Sequence, residues 1–294
     1  MSITSAEIAT QPAAWREAIH RAGAVADLLP RHGERVAFVG CGTSWFIAQA
    51  CAVAREAAGA GESDAFAASE APHDRDYDRI VAISRSGTTT EVLRYLAHEG
   101  RRTSALVITA VAGSPVAEAA DDLIVLDFAD EKSVVQTRFA TTVLSLLRAH
   151  LGDDVEAAAL DAERVLASPP NVDPTAFDHF VFLGAGWTNG LASEAALKLR
   201  EAAGAWTEAH PALEYRHGPI AVATPRSLVW MLGDVGADLV ADVERTGATV
   251  VQIGCDPAAE LVGAQLLAVA LAESRGLDPD KPRNLTRSVV LVDG

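Results

Sequence analysis

Hydrophobic residues follow a repeating strand, turn and helix pattern along most of this 294-residue chain. Short runs rich in β-branched and aromatic residues alternate with longer segments whose apolar residues recur at helical spacing. The runs that predict strands are 35–39, 64–69, 79–83, 105–109, 123–128, 179–183, 227–232 and 249–253. The segments that predict helices are 12–29, 43–58, 91–99, 115–119, 134–166, 189–203 and 260–275. Strands that alternate with helices predict parallel sheets covered on both faces.

The same predicted motif, a strand followed by a glycine turn and a helix, occurs twice along the chain. The sequence FVGCGTS at 38–44 is matched 144 residues later by FLGAGWT at 182–188, and each leads into an alanine-rich helical segment. Such a turn places small residues and free backbone N–H groups at a helix N-terminus, where an anion such as phosphate can bind. A repeat this long indicates duplicated domains instead of a solenoid.

The proline-containing segment 168–171 marks the predicted domain break. We therefore predict a leading helical segment at 1–34, a first domain at 35–167 and a second domain with the C-terminal tail at 171–294. The tail is polar up to the apolar run 289–292, and we expect it to wrap back over the body. A chain of this length, 49% hydrophobic, has enough apolar residues for two cores. The fold class predicted is α/β, with two tandem three-layer α/β/α domains of the flavodoxin or Rossmann type.

Charge and cysteine content narrow the function classes. The net charge of −16 argues against a broad nucleic-acid surface and indicates a soluble one. Cys41, Cys51 and Cys255 fit neither a metal-ligand spacing nor a disulfide framework, which favours the reducing cytoplasm. The N-terminus lacks a signal peptide, and no apolar run reaches the roughly 18 residues that span a bilayer. We predict a cytoplasmic protein with no metal, no cofactor and no membrane partner.

Hydroxyl groups concentrate at the end of the predicted strand 79–83. Ser84, Ser86 and the three threonines at 88–90 surround Gly87 at a strand-to-helix junction. Ligands in open α/β sheets bind at such strand ends, and hydroxyls with free N–H groups can satisfy several phosphate oxygens. The alternative is an ordinary helix N-cap. One cap needs one hydroxyl instead of five, so we favour phosphate binding.

Three further features carry acid–base chemistry. Glu194, Lys198 and Glu201 share one helix face, which is either a surface salt-bridge ladder or the wall of a ligand cleft. His217 precedes a Gly-Pro pair and is either a proton-transfer group or simply exposed. Cys41, inside the first glycine turn, is either a reactive thiol or, as we favour, a small residue that fills the turn.

Six motifs in order give the chain a family resemblance. They are 38–44 (FVGCGTS), 84–91 (SRSGTTTE), 133–139 (SVVQTRF), 195–201 (AALKLRE), 214–219 (EYRHGP) and 280–285 (DKPRNL). Their order and spacing resemble the SIS (sugar isomerase) superfamily from about residue 7 to the end, and are most similar to the isomerase half of glucosamine-6-phosphate synthases.

The resemblance implies a phosphosugar cleft and a role for each matching residue. Glu201 corresponds to the base that moves a proton between C1 and C2, Lys198 to a cation near the enediol, and His217 to the residue that serves ring opening. In that family the neighbouring subunit of a dimer completes the site, so His217 can act in trans. The residues implied to bind the phosphosugar are Cys41, Gly42, Thr43, Ser44, Ser84, Arg85, Ser86, Thr88, Thr89, Val134, Gln136 and Arg287.

The chain also departs from the family pattern. The synthase's glutaminase domain is missing from this sequence, so we expect no ammonia release from glutamine by this chain itself. Arg287 stands where the synthase has a Schiff-base lysine, and a guanidinium is a poor imine nucleophile, so charge stabilisation is expected there instead. Arg85 replaces a neutral amide and contacts either phosphate or solvent. The second sheet is expected to be one strand short.

Together these features predict a phosphosugar isomerase that acts on a hexose or amino-hexose phosphate by aldose–ketose proton transfer, as a homodimer with shared sites. The enzyme alternative is a deaminase or deglycase that releases an amine from an aminated sugar phosphate. The alternative from another class is a sugar-phosphate-binding regulatory module. Retention of Glu201, Lys198 and His217 favours an enzyme, whereas Arg287 and the short second sheet keep the regulatory module open.

Overall fold

The computed structural model describes residues 1–290. The helices are α1 (Ile3–Ala9), α2 (Gln11–Ala22), α3 (Thr43–Ala57), α4 (Thr90–Leu96), α5 (Pro115–Glu118), α6 (Arg138–His150), α7 (Val155–Ala167), α8 (Thr188–Ala203), α9 (Ala237–Glu244) and α10 (Pro257–Ser274). The strands are β1 (Val36–Gly40), β2 (Ser63–Ala67), β3 (Arg79–Ile83), β4 (Ser104–Thr109), β5 (Asp122–Val125), β6 (His179–Gly184), β7 (Thr207–Pro211), β8 (Ser227–Leu232) and β9 (Thr249–Val251). Short 3₁₀ helices lie at Asp127–Ala129, Pro174–Ala176, Ala212–His217 and Pro219–Val222.

The first sheet is parallel throughout, with the strand order β2-β1-β3-β4-β5. The chain leaves β1 for one edge and then returns to the other side of β1 to form β3, so the strand order reverses between β1 and β3. Ligands of open α/β sheets bind at such a reversal, beyond the carboxyl ends of the strands. The turns that follow β1 and β3 therefore lie side by side at this position.

Helices cover both faces of the first sheet because its central strands are apolar at consecutive positions. Ala37 and Val39 of β1 point to one face, where they share a buried core with Val92 of α4 and Val116 of α5. Phe38, which is also buried, points to the opposite face, against which α3 packs. This alternation places α3 on one face of the sheet and α4 and α5 on the other.

The second sheet is also parallel, with the order β7-β6-β8-β9 and the same reversal between its first and third strands along the chain. Val181 and Met231 pack on one face with Leu239 of α9. On the other face the Trp230 ring lies so close to α10 that a Cβ on Gly263 would be 3.1 Å from it. Helices thus flank this sheet as well.

The repeated glycine turns are confirmed as equivalent structures. A Cβ on Gly40 would lie 2.6 Å from the carbonyl carbon of Ser44, and a Cβ on Gly184 would lie 2.3 Å from the carbonyl oxygen of Thr188. Each glycine therefore lets the first turn of the next helix approach the strand end more closely than any side chain allows.

The predicted arrangement of two domains in tandem is wrong. The chain forms two compact units whose segments interleave along the sequence. The β1–β5 unit contains Ala13–Glu156 and residues 286–290, and the β6–β9 unit contains Met1–Pro12 and Ala157–Leu285. Hydrogen bonds between residues far apart in the sequence attach the chain ends to these units.

In the β6–β9 unit, the Asp280 carboxylate accepts hydrogen bonds from Thr4 N at 2.8 Å and Thr4 Oγ1 at 2.7 Å, and α1 packs on α10. In the β1–β5 unit, the backbone carbonyl of Arg287 accepts a hydrogen bond from the Arg85 side chain. Segment order alone does not reveal these contacts.

Other elements also differ from the prediction. The leading helix is two helices, α1 and α2, and β7 and the 3₁₀ helices were not predicted. Of the apolar run 289–292, residues 291 and 292 lie outside the described residues, and 289 and 290 form no strand. Within residues 1–290, every helix is too short or too polar to cross a membrane.

Candidate active site

The turn after β1 supplies a small, tightly folded edge to the candidate site. Gly42 has φ 55°, and Thr43 and Ser44 are buried at the start of α3. Burial, and next the charge of Glu91, raise the pKa of the Cys41 thiol to about 11. Cys41 is therefore protonated at neutral pH, which fits a residue that fills the turn and not a reactive thiolate.

The turn after β3, residues 84–90, is termed the hydroxyl loop. Thr88 donates hydrogen bonds to Ser86 Oγ from its N at 3.3 Å and from its Oγ1 at 3.1 Å, while Ser84 Oγ donates to Thr89 Oγ1 at 3.5 Å. Thr89 occupies the N-cap position of α4 without a side-chain capping bond. Helix capping therefore does not explain these hydroxyls.

Glycine is required at the centre of the hydroxyl loop. Gly87 has φ 65°, and a Cβ there would lie 1.9 Å from the side-chain oxygen of the buried Ser114. The loop can thus fold back against the β4–α5 connection only without a side chain at this position.

The C-terminal tail lies on the hydroxyl loop. Ser288 Oγ is 2.7 Å from Thr88 Oγ1 and accepts a hydrogen bond from Ser86 Oγ at 3.3 Å. The Thr90 N–H donates to the carbonyl of Val289 at 3.3 Å. Sequence reasoning missed Ser288, whose only signal is its place beside Arg287. A phosphate that takes these hydroxyls has to displace the Ser288 hydroxyl.

Arg85 is buried in the protein and bonds to backbone carbonyls, whereas we expected it to contact either phosphate or solvent. Its side chain is buried, with Nη1 donating to the carbonyl of Ser133 at 2.8 Å and Nη2 to the carbonyl of Arg287 at 2.6 Å. These bonds connect the hydroxyl loop to the segment that carries Val134 and Gln136. Arg85 therefore braces the loop and the tail against each other.

Arg287 fixes the tail from the other side. Its Nη2 pairs with Asp130 Oδ1 at 2.6 Å and its Nε donates to the carbonyl of Glu131 at 3.0 Å. The Glu131 carboxylate is itself buried and accepts hydrogen bonds from the backbone N–H groups of Thr137 and Arg138 at the start of α6. The guanidinium that we expected to stabilise substrate charge is thus engaged in a structural contact.

Charged residues of α8 form a buried cluster in the β6–β9 unit. Lys198 Nζ lies 2.6 Å from Glu201 Oε2 and 3.3 Å from Glu194 Oε1. The side chains of Lys198 and Glu194 are 1% and 0% exposed, whereas Glu201 retains 20%. The cluster is therefore not a surface ladder. It presents one partly open carboxylate backed by a buried ammonium.

His217 ends the 3₁₀ helix Ala212–His217 and is exposed. Tyr215 anchors the same segment in the core, where burial and then the charge of Glu208 raise the pKa of its phenol to about 12. Within residues 1–290 the His217 side chain makes no hydrogen bond or ion pair. The structure thus brings Lys198 and Glu201 together without His217.

A parallel α/β fold with hydroxyl-lined turns beyond its strand ends defines a ligand-binding α/β protein. Residues 31–151 match the family model described as the SIS domain, which assigns this part of the chain to the SIS-domain family. The matched segment contains the first sheet and does not extend into the second, so the prediction of two tandem SIS domains is corrected to a SIS fold with two parallel sheets.

Relatives of known name support this assignment. The glutamine–fructose-6-phosphate aminotransferase (isomerizing) of Methanothermobacter thermautotrophicus is 28% identical over 97% of this chain, which spans 57% of that relative's length. The structure of glucosamine-6-phosphate deaminase from Thermotoga maritima matches with a TM-score of 0.81 at 28% identity, covering 99% of this chain and 100% of that one. Tagatose-6-phosphate ketose/aldose isomerase from Escherichia coli matches with a TM-score of 0.82 over 95% and 94%, and at 20% identity shows the fold alone.

Proposed function

We propose that this chain is a phosphosugar isomerase that interconverts the aldose and ketose forms of a hexose or amino-hexose phosphate. The observation that carries the proposal is the pair of Glu201 and Lys198, in which a partly open carboxylate lies 2.6 Å from a buried ammonium. A carboxylate can accept a carbon-bound proton, and a fixed cation nearby offsets the charge that develops on the sugar.

The proton transfer needs no other reactant. The Glu201 carboxylate takes a proton from C1 of the open-chain ketose, and the electron pair of that C–H bond forms the C1–C2 double bond as the carbonyl oxygen becomes an enediolate. Lys198 balances this negative charge. A proton passes from the C1 hydroxyl to the C2 oxygen, Glu201 returns the proton it holds to C2, and the C1 carbonyl of the aldose forms. His217, by its family position, serves ring opening, and this residue is exposed.

The hydroxyl loop is proposed to bind the phosphate, together with the turn at 41–44. Ser84, Ser86, Thr88 and Thr89 bring four hydroxyls to one strand end, where they form two hydrogen-bonded pairs, Ser86 with Thr88 at 3.1 Å and Ser84 with Thr89 at 3.5 Å. The segment with Val134 and Gln136 borders this loop through Arg85. In this proposal Arg85 and Arg287 support the loop and the tail through protein contacts.

A deaminase is the second candidate, because the Thermotoga maritima protein of that name is 28% identical over 99% of this chain. The same base would move the C2 proton of an aminated aldose to C1, giving an imine at C2. Water then adds to C2, the C–N bond breaks, and ammonia leaves with the ketose. The buried cluster supports either enzyme over a binding module, since binding alone needs no such ion pair.

The proposal is tested by proton NMR in heavy water with fructose 6-phosphate, glucose 6-phosphate and glucosamine 6-phosphate. Isomerisation gives deuterium at C1 or C2 and the partner sugar without ammonia. Release of ammonia from glucosamine 6-phosphate identifies the deaminase. Binding of these sugars in a thermal-shift assay with no deuterium incorporation into any of them would contradict an enzyme and favour the regulatory module.

The homodimer with His217 acting in trans, and the cytoplasmic location, stay predictions. Light scattering after size-exclusion chromatography measures the subunit number. Mixing the inactive Glu201→Gln and His217→Ala variants checks the trans arrangement. Partial activity returns only if each site takes Glu201 from one subunit and His217 from the other, because a mixed dimer then contains one intact site.

A further inference from the structure

The Glu260 carboxylate lies beside the carboxyl ends of β8 and β9 in the second sheet. Glu260 belongs to the first turn of α10 and is 0% exposed. Its Oε2 accepts a hydrogen bond from the Gly233 N–H at 2.6 Å, and its Oε1 accepts one from the Gly254 N–H at 2.9 Å. The Cys255 N–H also donates to this carboxylate. We term these three N–H groups the backbone cradle.

Backbone groups, and no cationic side chain, hold the charge of Glu260. Within residues 1–290 this carboxylate forms no ion pair, although buried charges in proteins are normally paired. Burial raises the pKa of Glu260, and the bonds from the backbone cradle offset part of that rise because they favour the ionised form. Backbone N–H groups gathered around an anion are the arrangement by which loops bind anionic ligands.

The backbone cradle lies, in the second sheet, at the strand end that carries the hydroxyl loop in the first. β3 and β8 each pair with the first strand of their sheet across the strand reversal. Ser84 directly follows β3, and Gly233 directly follows β8. Ligands of open α/β sheets bind at this strand end. The second sheet therefore has a carboxylate of the protein where such a sheet accepts a ligand.

A hydroxyl group occupies the other side of the same strand reversal. Thr188, the first residue of α8, accepts a hydrogen bond from the Ala185 N–H at 2.9 Å and donates one to the carbonyl of Leu232 at 2.9 Å. The Ala185 N–H belongs to the repeated glycine turn, so a donor that could serve a phosphate is already used. Both turns at this strand reversal thus bind side chains of the protein itself.

The short connection from β9 to α10 explains how Glu260 reaches the strand ends. β9 ends at Val251, and α10 begins at Pro257 with Asp256 as its N-cap. The described second sheet has four strands, one fewer than the first, so the chain passes from β9 directly into α10. Glu260 then lies in the first turn of a helix that starts beside both strand ends.

A cavity of about 530 Å³ borders the backbone cradle. Gly254 and Cys255 line it, together with Arg164 of α7. Arg164 pairs with Asp161 of the same helix, so this cation already has a partner inside the protein. An acetate ion is much smaller than the cavity and can therefore approach the turn at 254–255 while the unit stays folded.

We propose that the backbone cradle is an anion-binding site whose ligand is the chain's own Glu260 carboxylate, and that free acetate binds there when this side chain is shortened to alanine. The strand reversal of the second sheet is thereby closed to a phosphosugar, although it repeats the glycine turn of the first. The inference goes beyond the proposed function, which assigns the hydroxyl loop and Glu201 and gives Glu260 no role.

The test removes the internal ligand and supplies the missing atoms. Glu260→Ala lacks one CH₂ group and the carboxylate, which are the groups that acetate provides. Thermal melting compares sodium acetate with sodium chloride at equal concentration and with acetamide, a neutral molecule of similar shape. The wild type and Glu244→Ala are measured alongside, because Glu244 is an exposed glutamate of α9 in the same unit.

In chloride, Glu260→Ala is expected to melt about 6–12 °C below the wild type, because three buried donors lose their acceptor. Acetate at about ten times its Kd is expected to raise the melting temperature of Glu260→Ala by about 3–6 °C over chloride. The wild type and Glu244→Ala are expected to shift by less than about 1 °C, as is every protein in acetamide. Acetate that stabilises Glu260→Ala no more than the wild type would overturn the proposal, and so would equal stabilisation by acetamide.

Two further measurements complete the test. If Glu260→Ala does not fold in chloride, its yield of native protein on refolding is compared between acetate and chloride, and equal yields would contradict an acetate site. Calorimetric titration of the wild type with glucose 6-phosphate is expected to show no more than one molecule bound per chain. Two per chain would overturn the closure of the second sheet, whereas no binding at all would contradict the proposed hydroxyl loop and leave the assignment of Glu260 in place.

Discussion

Replacing Lys198 by methionine is expected to destabilise the protein more than replacing either carboxylate of its cluster. The substitution keeps an unbranched side chain of similar length but removes the ammonium that faces Glu194 and Glu201. Two carboxylates then remain, and that of Glu194 is fully buried. Removing the ammonium that pairs with a buried carboxylate is among the most destabilising changes known for a folded protein.

The magnitude follows from the Lys198–Glu194 distance. Two unit charges 3.3 Å apart attract by about 5 kcal/mol at an effective dielectric constant of about 20. The attraction between Lys198 and Glu201 is closer, at 2.6 Å, but Glu201 is 20% exposed and part of its interaction is screened by solvent. We expect Lys198→Met to lower the free energy of unfolding by about 3–5 kcal/mol.

Equilibrium denaturation followed by tryptophan fluorescence measures this loss. The double variant Lys198→Met/Glu194→Gln provides the decisive comparison, because it also neutralises the buried carboxylate that Lys198 faces. It is expected to be about 1–3 kcal/mol more stable than Lys198→Met alone. If the second substitution instead adds a further loss of stability, the two groups do not form the ion pair described and the reasoning is refuted.

Two sets of substitutions and one chemical-modification experiment test the β1–β5 unit. Gly87→Ala is expected to cost about 2–4 kcal/mol of stability in thermal or chemical denaturation, since its Cβ meets Ser114 and its φ is positive. Ser86→Ala with Thr89→Ala is expected to raise the Kd for a phosphosugar about 10- to 30-fold by calorimetry, because two hydroxyl donors are lost. Cys41, whose pKa is raised to about 11, is expected to be alkylated by iodoacetamide about a hundredfold more slowly at pH 8 than an ordinary cysteine, with the rate rising above pH 10 as the thiolate forms.

The Gly87→Ala prediction has a matched control, and each of the three predictions has a contrary result. Gly113→Ala adds a methyl group with nothing within 4 Å and without a positive φ, so it is expected to be nearly neutral. A stable Gly87→Ala, unchanged phosphosugar affinity in the double hydroxyl variant, or rapid alkylation of Cys41 at neutral pH would each remove the corresponding interpretation of the loops.

Elements governed by local patterns could be predicted from the sequence, whereas elements that depend on distant partners could not. The strands β1, β6 and β8 were predictable because they are buried on both faces and read as continuous apolar runs. The sequence of β7, TEAHP, is polar, and β7 lies at the sheet edge with a proline at its end. Its strand conformation follows from pairing with β6, which no local signal indicates.

The same division applies to the candidate site. The hydroxyl loop could be placed from the sequence, because parallel strands bring their carboxyl ends to one edge and the loop follows β3 directly. The roles of Arg85 and Arg287 could not, because their partners are carbonyls and a carboxylate far along the chain. Interleaving of the two units was hidden for the same reason, since it depends on contacts such as Thr4 with Asp280.

One measurement tests the central role of Glu201 most directly. It compares the rate of deuterium incorporation into fructose 6-phosphate, at saturating concentration, between Glu201→Gln and the wild type. Glu244→Gln serves as the control, since Glu244 is an exposed carboxylate of the same unit. We expect Glu201→Gln to lose about a thousandfold in rate and Glu244→Gln to stay within about twofold of the wild type. A Glu201→Gln variant that incorporates deuterium at the wild-type rate would contradict the assignment of this carboxylate as the base.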